Sequence, residues 1–153
     1  MTSVSIIRHA TGAPGLRSLG LGPNFRPQQA LKKLQFLMNS YAFWAKDRSL
    51  TQLKIMLKNS SVITTVWIDD KMIGFGRAHS DKVFRAILWD VIVAHDMQGR
   101  GIGKLIVESL TTSKEIKNVE KVYLMTTNCK EFYSQIGFNI SSNQTLFALD
   151  RKE

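Results

Sequence analysis

Apolar and polar positions recur along this chain with a period that changes from segment to segment. Val4 to His9 alternates enough to be a first strand. Between Gln28 and Lys46, the residues Leu31, Leu34, Leu37, Met38, Tyr41, Trp44 and Ala45 share one face at helical spacing. Asp47 or Ser49 can then cap a second helix bearing Leu50, Leu53, Met56 and Leu57. Val62 to Ile68 is β-branched, Asp69-Asp70-Lys71 reads as a turn, and Met72 to His79 continues as the partner strand of a hairpin. A further strand spans Arg85 to Val93. Helical spacing returns at Ile102, Leu105, Ile106 and Leu110, followed by a strand at Lys121 to Thr127, a short helix at Lys130 to Ile136 and a last strand at Thr145 to Leu149. Gly12 to Pro27 holds all three prolines and several glycines, so it is expected to form a loop or flap that is neither helix nor strand for long.

Length and composition narrow the class. A chain of 153 residues with 44% apolar and 22% charged side chains is expected to fold as one domain, residues 1–153, with residues 1–27 supplying the first strand and the glycine/proline loop. No apolar run approaches the ~20 residues of a membrane span, and no signal-peptide core is seen. A single cysteine, Cys129, excludes an internal disulfide. Three scattered histidines, at 9, 79 and 95, argue against a metal cluster. The expectation is a cytoplasmic protein without metal. Net charge is +9 and unevenly placed: up to Ser60 there are nine lysines and arginines against Asp47 alone, leaving twelve basic and eleven acidic residues for the remainder. Such a basic third can be a solvated surface, or can steer an acidic partner or a phosphate. A nucleic-acid interface is not expected, because no basic run with interleaved aromatics is present.

The candidate chemistry lies in Val93-Ala94-His95-Asp96-Met97-Gln98-Gly99-Arg100-Gly101-Ile102-Gly103-Lys104-Leu105, which joins the Arg85–Val93 strand to the following helix. Three glycines at alternate positions let backbone amides converge, with no Cβ in the way, at the positive end of a helix dipole. That arrangement is a phosphate cradle. A P-loop is excluded, because Gln98 and Leu105 stand where it needs glycine and a hydroxyl residue. A dinucleotide fingerprint fits poorly, because Lys104 stands where its third glycine belongs.

What remains is Gln98-x-x-Gly101-x-Gly103 behind a strand ending Val91-x-Val93, which resembles the acetyl-coenzyme A loop of the GNAT N-acetyltransferases. A second block, Asn128-Cys129-Lys130-Glu131-Phe132-Tyr133-Ser134-Gln135-Ile136-Gly137-Phe138, is similar to that family's N-x-x-x-F-Y-x-x-x-G-F signature. Trp89-Asp90-Val91-Ile92-Val93 and Arg77-Ala78-His79-Ser80-Asp81 resemble the plastid and cyanobacterial branch, which includes plant serotonin N-acetyltransferase; the likeness runs roughly from Trp44 to Phe138. It implies an α/β (α+β) GNAT fold: a single mixed, mostly antiparallel sheet of about six to seven strands, splayed between the fourth and fifth and flanked by about four helices.

The resemblance also implies roles. Acetyl-CoA is the implied co-substrate, and the acceptor is a small amine of the serotonin or tryptamine type, with protein lysine or N-terminal amines as the alternative. A non-catalytic acetyl-CoA sensor module is the reading of a different class, and a homodimer is compatible with either. The backbone of Val91, Ile92 and Val93 would pair with pantetheine, and Gln98, Gly99, Arg100, Gly101, Ile102, Gly103 and Lys104 would hold the pyrophosphate. Asn128 would anchor the cofactor. Tyr133 would contact it and return a proton to the departing thiolate. For Asp90 two roles stay open: a base that removes the amine proton, or a buried, hydrogen-bonded residue that orients the strand or substrate. His79 is an alternative base or a surface histidine. Cys129 invites a nucleophilic role that direct transfer makes unnecessary.

Overall fold

The computed structural model describes residues 3–151. Five strands lie in the order β1 (Val4–His9), β2 (Val62–Ile68), β3 (Lys71–Ser80), β4 (Arg85–Val93) and β5 (Lys121–Leu124), all antiparallel except the β4–β5 pair. Every residue from Val62 to Trp67 is buried, so both faces of the central sheet are covered. Helix α4 (Ile102–Thr111) packs on β2, β3 and β4, and α2 (Ala30–Tyr41) on β3 and β4. The remaining helices are α1 (Pro14–Leu19), α3 (Leu50–Lys58) and α5 (Lys130–Gln135). None of the described helices is long and apolar enough to cross a membrane.

Two expected elements differ. Gly12 to Pro27 is not only a loop: Pro14 starts α1 at a position where its missing N–H costs nothing, Gly20 ends it in the left-handed region, and Leu16 is fully buried. The long helix expected from Gln28 to Lys46 stops at Tyr41, because Ala42 is extended, and Phe43–Ala45 forms a separate 3₁₀ turn. Among the described residues there are five strands rather than six or seven, and Thr145–Leu149 has no regular structure. There are also five α-helices rather than about four. Ser49, not Asp47, caps α3: its Oγ accepts from the Gln52 amide at 3.1 Å while Gln52 Oε1 accepts from the Ser49 amide at 2.9 Å.

Two glycines of β3 set how closely α4 approaches the sheet. A Cβ on Gly76 would lie 2.5 Å from Ile106 Cγ2 and 3.1 Å from Leu110 Cδ1, and one on Gly74 would lie 2.9 Å from Ile106 Cδ1. Gly76→Ala is therefore expected to destabilise by about 1–3 kcal/mol through overpacking. Urea denaturation measures it, and an unchanged midpoint would contradict the close contact.

A buried polar cluster ties β1 to β2. Thr65 Oγ1 accepts from Trp67 Nε1 at 2.8 Å and lies 2.8 Å from His9 Nε2. Burial lowers the His9 ring from its ordinary 6.5 to about 4. The unfolded chain therefore takes up a proton below pH 6.5 that the folded chain refuses. The stabilisation is complete above pH 6.5 and is lost as the pH falls towards 4, by as much as about 3 kcal/mol. His9→Gln keeps a hydrogen-bonding side chain without the ring's titration. Chemical denaturation between pH 4 and 7 should show a flatter stability curve for the variant; parallel curves would contradict the assignment.

Candidate active site

The parallel β4–β5 ladder pairs Arg85 with Lys121 through Leu88 with Leu124 and goes no further. Beyond Leu88, β4 continues to Val93 paired only with β3, so the edge of β4 that faces β5 is free over Trp89–Val93. A register shift against β3 falls in this stretch: Arg77 pairs with Trp89 and Phe75 with Ile92, leaving Asp90 and Val91 opposite Gly76. Asp90 takes up the extra residue at φ +52°. Left-handed backbone inside a strand is costly for a residue other than glycine, and such strain persists where the surroundings over-determine it.

The surroundings of Asp90 do so. Trp44 Nε1 donates to Asp90 Oδ1 at 2.8 Å, while Arg77 Nε and Arg48 Nη1 donate to Oδ2 at 2.8 Å and 3.0 Å. The carboxylate side chain is 4% exposed. Burial raises its pKa, but the hydrogen bonds and charges of Arg48 and Arg77 outweigh that and hold it below the usual carboxylate range. Of the two roles open in the sequence, the geometry is that of the buried, hydrogen-bonded residue. Arg48, one of the basic residues of the first sixty, turns inward for this pair instead of forming a surface patch.

The loop after β4 carries an open array of donors. Gly99 and Gly101 have φ +77° and +80°, and a Cβ on either would meet no atom within 4 Å. Among the described residues, none of the backbone amides from Gly99 to Lys104 finds a protein acceptor; the first amide bonded back to the loop is that of Leu105, to the Gly101 carbonyl at 3.1 Å. Six successive amides thus lack a protein acceptor beside the positive end of a ten-residue helix that no side chain caps. Gln98 Nε2 donates to the Val93 carbonyl at 3.3 Å, tying the loop to the strand end. Gly103 differs from its neighbours: a Cβ there would lie 3.1 Å from Phe132 Cζ, so this glycine lets α5 approach α4. Ile92 and Ile102 bury their side chains in the core, Arg100 and Lys104 are solvent-facing or nearly so, and Lys104 Nζ lies 3.8 Å from Glu108 Oε1.

Two cavities flank the splay. One, of about 500 Å³, lies against the glycine loop and is lined by Val91, Val93, Met97, Gln98, Gly99, Gly101–Lys104, Cys129, Phe132 and Tyr133 among others. The other, of about 420 Å³, is walled by Phe43, Trp44, Trp89, Asp90, Met125 and Leu146. Val91, Cys129 and Tyr133 belong to both, so the cavities meet at these three residues. Tyr133 packs edge-on against Phe132 at 4.9 Å and Phe138 at 5.9 Å, and its hydroxyl has no protein hydrogen-bond partner among the described residues. Burial, with a smaller contribution from Cys129, pushes the phenol up to about 12.

Of the other candidates, Asn128 and Cys129 line the cavities and His79 does not. Asn128, expected to anchor the cofactor, lines the aromatic cavity beside Cys129. His79 pairs across to Ile87, at the end where β4 and β5 stay joined, and lines neither cavity. Cys129 is exposed at the head of α5, its Sγ 3.4 Å from Asn128 Oδ1. The described residues contain no group of His, Cys, Asp and Glu suited to a metal ion. Phe43, Trp44, Arg48 and Arg77 were given no role at the site by the sequence. An acidic residue inside the apolar run Ile87–Val93 was the available signal, because a buried carboxylate requires cationic partners.

Comparison with known proteins identifies the family and the fold. Residues 59–140 match the family model described as acetyltransferase (GNAT) domain, over half of the chain. An uncharacterized N-acetyltransferase ycf52 of Pyropia yezoensis is 35% identical over 113 residues, which cover 71% of this chain and 64% of the relative. Serotonin N-acetyltransferase 2, chloroplastic, of Oryza sativa subsp. japonica is 32% identical over 99 residues, 60% of this chain and 48% of its own. Histone acetyltransferase TAP1 of Glycine max is 31% identical over 103 residues, 60% of this chain and 45% of its own. The chain therefore spans somewhat under two thirds of the first of these relatives and about half of the other two. A GNAT-family crystal structure from Xanthomonas campestris pv. campestris superposes with a TM-score of 0.70 at 21% identity, covering 97% of this chain and 95% of that one.

Proposed function

Since the chain belongs to the GNAT acetyltransferase family, we propose that it moves an acetyl group from acetyl-CoA to a primary amine by direct attack, with the two cavities holding donor and acceptor. The observation that carries this reading is their junction at Val91, Cys129 and Tyr133. The residues fit the coenzyme: the six free amides from Gly99 to Lys104 suit a diphosphate, and the free edge of β4 suits the amide-bearing pantetheine arm. When bound, acetyl-CoA supplies a thioester activated towards amines.

The chain's own groups do the rest. Backbone groups at Val91 and Val93 orient the arm along β4, and the helix end offsets the phosphate charge. Tyr133, held protonated by burial, donates its proton to sulfur as the C–S bond breaks and the C–N bond forms, and the proton shed by the acylated nitrogen leaves through solvent, from which the phenolate is reprotonated. Asp90, already engaged by two guanidinium groups, does not act as base; it fixes Trp44 as a wall of the acceptor cavity. Among the described residues Asp90 is the only carboxylate on that wall, so the acceptor enters as the free amine after losing its proton to solvent.

An arylalkylamine fits the acceptor cavity best, because Phe43, Trp44 and Trp89 offer aromatic faces and no carboxylate is left unpaired for a polycation. The second reading, a protein amine, is favoured by the name of the Glycine max relative. An acceptor panel of tryptamine-type amines, lysine peptides and polyamines, read by thiol release and mass spectrometry, tests the proposal. Acetylated tryptamine-type product is expected. Thiol release with none of the amines would overturn the transfer reading, and turnover of lysine peptides alone would replace the first acceptor class by the second.

A further inference from the structure

The β3–β4 turn carries two neighbouring apolar side chains in solvent, Val83 and Phe84, 54% and 55% exposed. They are held there. Asp81 Oδ1 accepts from the Val83, Phe84 and Arg85 amides at 2.9, 2.6 and 3.0 Å, and the Asp81 amide donates to the Arg85 carbonyl at 3.1 Å. Lysines gather around this tip. Lys82 lies within it, and Ser80 Oγ both accepts from the Lys82 amide at 2.9 Å and donates to the Glu115 carbonyl at 2.6 Å, which draws the turn after α4, with Lys114 and Lys117, beside it. Lys121 opens β5 opposite Arg85, its amide donating to the Phe84 carbonyl at 3.2 Å. All four lysines are exposed, and among the described residues none has a carboxylate partner. The nearby acids are engaged or buried: Asp81 binds the turn, Glu120 pairs with Arg85 at 3.1 Å and Glu115 is 6% exposed. Counting Lys82, Arg85, Lys114, Lys117 and Lys121 against these three acids, the face is positive by two.

We propose that this face docks the protein on an anionic phospholipid surface, with Val83 and Phe84 entering the boundary between headgroups and acyl chains while Lys82, Lys114, Lys117 and Lys121 meet the acidic headgroups. A bilayer of that kind offers both halves of what the face presents, hydrocarbon for the apolar pair and negative charge for the lysines around it. A nucleic acid offers the charge but no hydrocarbon to receive an aliphatic side chain such as Val83. The attachment is peripheral, since none of the described helices is long and apolar enough to cross a membrane. Docking also leaves the candidate site open. Val93 stands at the far end of β4, roughly 26 Å from Arg85 at about 3.3 Å per residue, and the two cavities flank the splay at that end. The inference stands on the turn and its lysines, independently of the reaction assigned to the site.

Co-sedimentation of the full chain with vesicles tests this, one set of phosphatidylcholine alone and one of equal parts phosphatidylcholine and phosphatidylserine. The chain should partition onto the acidic vesicles at least about tenfold more strongly than onto the neutral ones, and added salt should weaken the difference. Lys114→Gln with Lys117→Gln should lower partitioning onto the acidic vesicles at least about tenfold, the share of two lysines near such a surface. Phe84→Gln should lower it at unchanged charge, whereas Phe84→Leu should keep it. All three positions are exposed, and the Phe84 carbonyl that holds Lys121 is backbone, so far-UV circular dichroism should not change. No partitioning onto acidic vesicles, equal partitioning onto both sets, or variants that partition like the wild type would overturn the proposal. Binding of an RNA oligonucleotide without binding of the vesicles would overturn it in favour of a nucleic-acid face.

Discussion

Replacing Tyr133 with phenylalanine is expected to lower kcat for acetyl transfer by about 10²- to 10⁴-fold, the range that a positioned proton donor contributes, while the affinity for acetyl-CoA stays unchanged. The phenylalanine ring keeps the packing on Phe132 and Phe138. The hydroxyl that is lost has no hydrogen-bond partner among the described residues, so no protein hydrogen bond there would be broken. Stability should therefore be nearly unaffected, which separates a chemical role from a structural one. With the phenol pushed up to about 12, the wild-type enzyme should show no alkaline loss of activity from this group below about pH 11. Stopped-flow thiol release with calorimetric binding of acetyl-CoA measures both halves. A kcat within twofold of wild type would remove Tyr133 from the proton path.

Asp90→Asn should act mainly on stability. The amide keeps the shape of the carboxylate but leaves the Arg48 and Arg77 guanidinium groups without their counter-charge, and Arg77 is 13% exposed. Removing one member of a buried ionic cluster costs about 3–5 kcal/mol, a large part of what a domain this size has to spare. In the wild type, the folded pKa of Asp90 lies below its ordinary value. The stabilisation is thus fully present above the ordinary carboxylate pKa and is lost as the pH falls through the depressed folded value. Near neutrality Asp90 does not titrate, so the rise of kcat/KM with pH should follow the acceptor amine and keep its shape in the variant. Denaturation and pH–rate profiles check this together. A variant as stable as wild type that has lost its pH-dependent rise would instead identify Asp90 as the base.

The order of elements around the glycine loop was legible because its signals are local. The apolar run to Val93, the alternate glycines and the Asn128–Phe138 block each sit within about a dozen residues, so strand, loop and helix could be read in order. The Arg48–Asp90–Arg77 cluster was not legible. Its partners come from three separate segments, and nothing in a single sequence says which of 21 basic residues turns inward. Gly103 was read with its neighbours as part of the cradle, and only the proximity of Phe132 gives it a packing role. Helix α1 was hidden for the opposite reason: prolines and glycines mark helix ends as well as loops, and here Pro14 and Gly20 delimit six residues. The C-terminal segment has the pattern of a strand, but pattern alone does not make one: among the described residues Thr145–Leu149 pairs with no edge.

The most direct test is a calorimetric titration of acetyl-CoA into the wild-type chain and into Gly101→Val. In the variant a branched side chain stands at φ +80°, a backbone position L residues rarely hold, beside the six free amides. One acetyl-CoA should bind per wild-type chain, with affinity at least tenfold weaker in the variant and no change in its far-UV circular dichroism. Absence of binding heat in the wild type, or equal affinity in the two chains, would contradict the glycine loop as the coenzyme site.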